Sequence, residues 1–116
     1  MRILGSKPHD VVVRRGDTFR KHCTVRVKVT RAPINVTGFT FLGQIRSLAG
    51  AVLATITVTV TDAVAGEFDL VIPAATTAAI DTVANPIARY DVQWDNGTDV
   101  KTILKGAVYF ETDVAL

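Results

Sequence analysis

Hydrophobic and polar residues alternate along most of this chain with a period of two, the pattern imposed by strands with one buried face. Between Thr18 and Thr30, Phe19, Cys23, Val25, Val27 and Val29 share one face, and Arg20, His22, Thr24, Arg26 and Lys28 share the other. Phe39, Phe41 and Ile45 alternate with Thr40, Gln44 and Arg46, and Leu42 is the one apolar residue on the outer side. Val52, Ala54, Ile56, Val58 and Val60 oppose a ladder of threonines whose β-branched side chains suit a solvated pleated face. Phe68, Leu70 and Ile72 point inward with Glu67 and Asp69 outward, and Tyr90, Val92 and Trp94 alternate with Arg89, Asp91, Gln93 and Asp95. A last strand, about 100–111, sets Leu104, Val108 and Phe110 against Lys101, Lys105, Tyr109 and Glu111. The expected core is therefore Phe39, Phe41, Ile56, Val58, Phe68, Leu70, Val92, Trp94 and Val108.

Turn residues separate these runs. Asp95-Asn96-Gly97-Thr98 predicts a tight hairpin with positive φ at both central residues. Leu48-Ala49-Gly50 and the stretch from Asp62 to Gly66 predict two more. In Pro73-Ala74-Ala75-Thr76-Thr77-Ala78-Ala79-Ile80 the pattern changes, because a proline suits the first turn of a helix and alanines favour its continuation. The Asn85-Pro86 step returns the chain to extended geometry. About seven strands, with one short helical turn near residues 73–80, point to an all-β protein, an immunoglobulin-like antiparallel β-sandwich.

Composition narrows the class. A chain of 116 residues is long enough for one domain with its own core and no metal or disulfide. The single cysteine, Cys23, has no intramolecular partner, which favours a reducing compartment. Residues 1–9 carry no periodic pattern and are expected to form a flexible arm ahead of a single domain over 10–116. No apolar run approaches the ~20 residues that span a bilayer, and a formal charge of +2 is too small to imply a polyanion, so neither membrane nor nucleic acid is expected as a partner.

Candidate chemistry is sparse. His22 and Cys23 are adjacent on a strand and point to opposite faces, so they do not form a base and nucleophile pair. Cys23 is expected in the core and His22 on the surface. Asp91, Asp95 and Asp99 gather around a hairpin but lack the later glutamate of a calcium loop, and the turn reading is preferred. Arg15-Gly16-Asp17 spells an adhesive tripeptide, yet its position between two strand segments favours a turn or bulge. No acid, base and nucleophile trio is available, so neither an enzyme nor a cofactor is expected. The densest charge is the stripe of Arg20, Arg26 and Lys28, read either as a solvated, cation-protected edge or as a docking surface for an acidic neighbour.

Several short segments together resemble a known family. Arg15-Gly16-Asp17-Thr18-Phe19, Pro33-Ile34-Asn35-Val36-Thr37-Gly38 before a strand ending Gln44-Ile45-Arg46, Ala65-Gly66-Glu67-Phe68, Arg89-Tyr90-Asp91-Val92-Gln93-Trp94 and Leu104-Lys105-Gly106 before Asp113-Val114 follow one order. In that order the chain resembles the immunoglobulin-like N-terminal domain of upper baseplate proteins of tailed phages, modules that attach receptor-binding proteins to a siphophage tail. The resemblance implies a virion structural protein made in the host cytoplasm, present in several copies or as a homo-oligomer, and touching other virion proteins of tail, baseplate or capsid. In that family the domain opens a longer polypeptide, whereas this sequence ends at Leu116 just after its last expected strand. A free-standing tail, baseplate or fibre-attachment adaptor is therefore expected, with a capsid decoration protein as the alternative. The resemblance transfers no functional residue. The residues expected to touch partners are Ile3 and Leu4, on an arm that orders against a neighbour, and Arg20, Arg26 and Lys28. A carbohydrate-binding module is the competing class, and Tyr109 is its main exposed aromatic.

Overall fold

The computed structural model describes residues 9–27 and 29–111. Among them lie seven strands and one short helix: β1 (Val11–Arg14), β2 (Phe19–Thr24), β3 (Thr40–Arg46), β4 (Val52–Asp62), β5 (Glu67–Ile72), α1 (Ala74–Ala78), β6 (Ile87–Asp95) and β7 (Val100–Glu111). The strand order is β1-β7-β6-β3-β4-β5-β2. β4 makes two layers of this run: its first half, Val52 to Ile56, pairs with β3, and its second half, Thr57 to Asp62, pairs with β5. The layer β2-β5-β4 thus folds over the layer β1-β7-β6-β3. Phe41 of one meets Phe68 of the other with ring centroids 5.3 Å apart. This is the all-β, immunoglobulin-like sandwich that the alternation predicts, with α1 in the expected connection after Pro73.

One pairing departs from the antiparallel plan. β1 runs parallel to β7, Val11 opposite Val108 and Val13 opposite Phe110. The step from Arg14 to Phe19 hands the chain from one layer to the other, so β1 and β2 never form a hairpin. Thr77 of α1 fixes that step. Its hydroxyl donates to the Asp17 carbonyl (2.8 Å) and accepts from the Gly16 N–H (3.1 Å), and the side chain is buried. The Arg15-Gly16-Asp17 backbone is thereby held as a turn.

Most of the expected core is buried. Ile56, Phe68, Leu70, Val92, Trp94 and Val108 are enclosed, with Phe39, Phe41 and Val58 packed partly buried around them. Trp94 receives Phe39 edge-on at 5.2 Å.

Four local expectations are corrected. The strand beginning at Phe19 ends at Thr24 rather than continuing to Thr30, and Val27 and Val29 are 38% and 90% exposed. A turn closes first: the Val27 N–H reaches the Ala32 carbonyl, the Arg31 N–H reaches Val27, and Arg31 takes a φ of 60°. Val52 and Val60 are also exposed, and each lies beside a register shift, opposite the Ile45/Arg46 step of β3 and at the Val60/Asp62 step of β4 itself. At the β6–β7 turn only Gly97 has positive φ, since the Asn96 side chain instead accepts the N–H groups of Thr98 and Asp99 and makes a wider loop. In β7 both Ile103 and Leu104 are buried, because a bulge shifts the register between Val92–Leu104 and Gln93–Thr102.

The N-terminal side of the domain is fixed from His9 onward. Its N–H donates to the Lys105 carbonyl (2.7 Å), its carbonyl accepts the Tyr90 hydroxyl, and Asp10 Oδ1 accepts the Ala107 N–H (2.9 Å). Gly106 permits this approach, because a Cβ there would fall on the His9 carbonyl. Ile3, Leu4 and the rest of the expected arm before His9 lie outside the described residues.

Candidate contact surfaces

On β2 the outward side chains are Arg20, His22 and Thr24, and the facing positions of β5 are Val71, Asp69 and Glu67. The strip is charge-compensated in place. Arg20 lies 3.7 Å from Asp69, and the His22 ring spans Asp69 Oδ1 (2.6 Å at Nδ1) and Glu67 Oε1 (3.0 Å at Nε2). Two carboxylates on two ring nitrogens favour the doubly protonated imidazolium, so the His22 pKa is raised above 6.5, chiefly by the hydrogen bond to Asp69 and then by that to Glu67. Beneath it Cys23 is fully buried, and loss of hydration pushes its thiol up to about 12.

The expected cationic stripe is therefore divided. Arg26 lies past the end of β2, in an isolated bridge opposite Pro33, and donates to the Arg31 carbonyl. Lys28, like Ile3 and Leu4, lies outside the described residues.

The outer face of the other layer has a different composition. Register places Arg46 of β3 directly opposite Arg89 of β6, and Asp91 of β6 between Gln44 of β3 and Lys105 of β7. The β3–β4 turn walls one side with Ser47, Leu48 and Gly50, and the β7 bulge turns Thr102 outward beside Gln93. All of these residues except Gln44 and Gln93 line an open cleft of about 380 Å³ with Arg46, Arg89 and Lys105 around Asp91. Among the described residues none of the three cations has a carboxylate within ion-pair distance, and Arg46 donates only to the Gln44 side chain.

A second feature shares this face. Val12, Tyr109 and Ile87 are consecutive partners across β1, β7 and β6, and they are 53%, 44% and 42% exposed. Tyr109 is thus exposed, while Tyr90 and Trp94 are buried.

Alternation assigned Arg46, Arg89 and Lys105 to outward positions separately. The signal that joins them is strand register, a non-local property that a two-residue period does not carry. No group of three His, Cys, Asp or Glu side chains among the described residues is arranged to hold a metal ion. No helix among them is long and apolar enough to cross a membrane.

The fold and its surfaces define a β-sandwich domain that displays charged side chains on its outer sheet faces. No family model matches the sequence, and no curated protein matches it. Among solved structures the chain is similar to the N-terminal domain of ORF48 of phage TP901-1, with a TM-score of 0.51 and 10% identity, over 96% of this chain and 92% of that one. It also matches an extracellular fragment of novel immune-type receptor 11 from Ictalurus punctatus that includes the stalk region, with a TM-score of 0.44 and 19% identity, over 96% and 90% of the two chains. The first likeness shows a fold shared with a phage protein's domain.

Proposed function

We propose that this chain is a structural protein of a tailed-phage virion, a tail, baseplate or fibre-attachment adaptor that works through protein–protein contacts. The observation that carries the reading is the end-to-end fold likeness to a phage protein domain, 96% of this chain on 92% of the other. The segments that resemble upper baseplate proteins support it. They fall on defined places of the fold: the Thr77-held turn before β2, the end of β3, the β4–β5 turn, β6 and the bulged half of β7. The outer face of β3, β6 and β7 supplies a charged cleft and an exposed apolar row, which suit contact with another protein.

Quantitative mass spectrometry of purified particles, with tails and heads separated, tests this reading. The adaptor reading expects the chain at fixed stoichiometry in the tail fraction. Recovery with heads alone would replace it by a capsid decoration protein, and absence from particles would overturn it. Deleting residues 1–8, which leaves the His9 and Asp10 contacts in place, is expected to preserve stability and lower incorporation. Normal incorporation of that truncated chain would remove the arm from the account. One observation favours a second reading, carbohydrate binding: Tyr109 is an exposed aromatic flanked by apolar neighbours. Glycan-array binding that is lost in Tyr109→Ala would move the assignment there.

A further inference from the structure

We infer that the cleft lined by Arg46, Arg89 and Lys105 is a docking site for a carboxylate-bearing segment of a neighbouring protein. The protein nature of the occupant rests on the contact role proposed above; the site itself rests on register and charge. Arg46 and Arg89 are direct cross-strand partners, and like charges so placed repel. On the β2–β5 face the corresponding positions hold opposite charges, Asp69 opposite His22, so this sheet architecture accommodates neutralised pairs where they are present. Here three cations surround a single carboxylate, Asp91, and that local excess equals the +2 formal charge of the whole chain. The uncompensated repulsion is relieved when an external carboxylate enters, and guanidinium groups bind carboxylates through paired N–H donors.

The walls identify the kind of occupant. The cleft is open to solvent and about 380 Å³, room for one or two acidic side chains with the rest of a docked segment lying outside it. Leu48, exposed on the β3–β4 turn, offers an apolar rim to the rest of a docked segment. No exposed aromatic ring lines the cleft, since Tyr90 is buried, so the stacking platform of a sugar or single-stranded nucleic acid site is missing from these walls. Asp91 among the lining cations repels a bound anion, so its neutralisation is expected to strengthen binding.

The test is an NMR titration of the full chain, reading backbone amides and arginine Nε–H signals, with a blocked tetraglutamate peptide as probe. Blocked tetraglutamine, sialyllactose and inorganic phosphate serve as comparisons. The expected result is saturable shifts confined to residues 44–50, 89–91 and 102–105, at least tenfold weaker with tetraglutamine. Binding should fall at least tenfold in the Arg46→Gln, Arg89→Gln double variant and persist in Arg20→Gln. Asp91→Asn should tighten the peptide several-fold, a gain that a misfolded variant does not mimic. Shifts spread over every surface cation, equal response to tetraglutamine, or undiminished binding in the double variant would each overturn the site. Tighter binding of sialyllactose or phosphate than of tetraglutamate would overturn a protein segment as occupant. Particle analysis separates the two proposals. A chain found in particles that ignores the peptide refutes only the cleft, and a chain that binds the peptide but is absent from particles refutes only the virion role.

Discussion

The two outer faces of the sandwich carry similar side chains and differ in what lies across the strand boundary. On the β2–β5 face Arg20 and His22 meet Asp69 and Glu67, so the charges are spent within the molecule, joining β2 at one end of the strand order to its neighbour. On the β3–β6–β7 face Arg46 meets Arg89, and Lys105 shares one aspartate with them. The density of cations along a strand is therefore a poor guide to a contact surface. Cross-strand partners decide whether a charge is available.

The largest expected effect concerns the closed face. If β2 is firmly sealed onto β5, Cys23 is reached only through opening, and native-state labelling by a thiol reagent should be on the order of 10³-fold slower than in denaturant. The raised thiol pKa slows it further. Labelling at nearly the denatured rate would mean that β2 is not sealed, and the contrast between the faces would dissolve.

Both faces depend on one core. Trp94→Ala removes a buried ring that packs on Phe39 and should cost about 3–5 kcal/mol, read from denaturant midpoints. A change below about 1 kcal/mol would show that β6 is out of phase, and Arg89 and Asp91 would then lose their assigned direction.

Gly106→Ala tests the side of the domain next to the cleft. The new methyl meets the His9 carbonyl, which has to leave its place on β7. The expected loss is about 1–3 kcal/mol, with the Ala107 amide losing its Asp10 acceptor and gaining hydrogen exchange. An unchanged Ala107 exchange rate would contradict the docking of His9 and Asp10.

Much of this was legible from alternation. β5 and β6 follow it without exception, because each lies in the middle of a layer with one face on the core. Its failures have physical causes. Val27 and Val29 continue the pattern past the point where the Arg31 turn reverses the chain, and the β7 bulge buries Ile103 beside Leu104. The anchoring of His9 was hidden because it depends on the Lys105 backbone and the Tyr90 hydroxyl, far away in sequence. For the same reason the cleft was illegible: Arg46 and Arg89 become neighbours only when β3 pairs with β6.

A smaller effect sharpens the closed side of the comparison. The His22 pKa is raised in the fold, so its contribution to stability is fully present below about the ordinary value of 6.5 and fades as pH rises through the raised value. Urea midpoints of the parent chain should therefore fall relative to those of His22→Asn between pH 6 and pH 9. Midpoints of the two proteins that stay parallel across that range would show that the clamp between Asp69 and Glu67 does not form in solution.

The most direct measurement sets the two faces against each other in the particle to which we propose the chain belongs. Arg46→Glu with Arg89→Glu, and separately Arg20→Gln with His22→Gln, are introduced into the genome that encodes the chain, and the protein is quantified in purified virions. Folding of each variant is checked first by its unfolding midpoint. The account predicts at least a tenfold loss of incorporation for the Arg46 and Arg89 pair and near-normal incorporation for the Arg20 and His22 pair. Equal incorporation of the two, or a loss confined to Arg20 and His22, would contradict it.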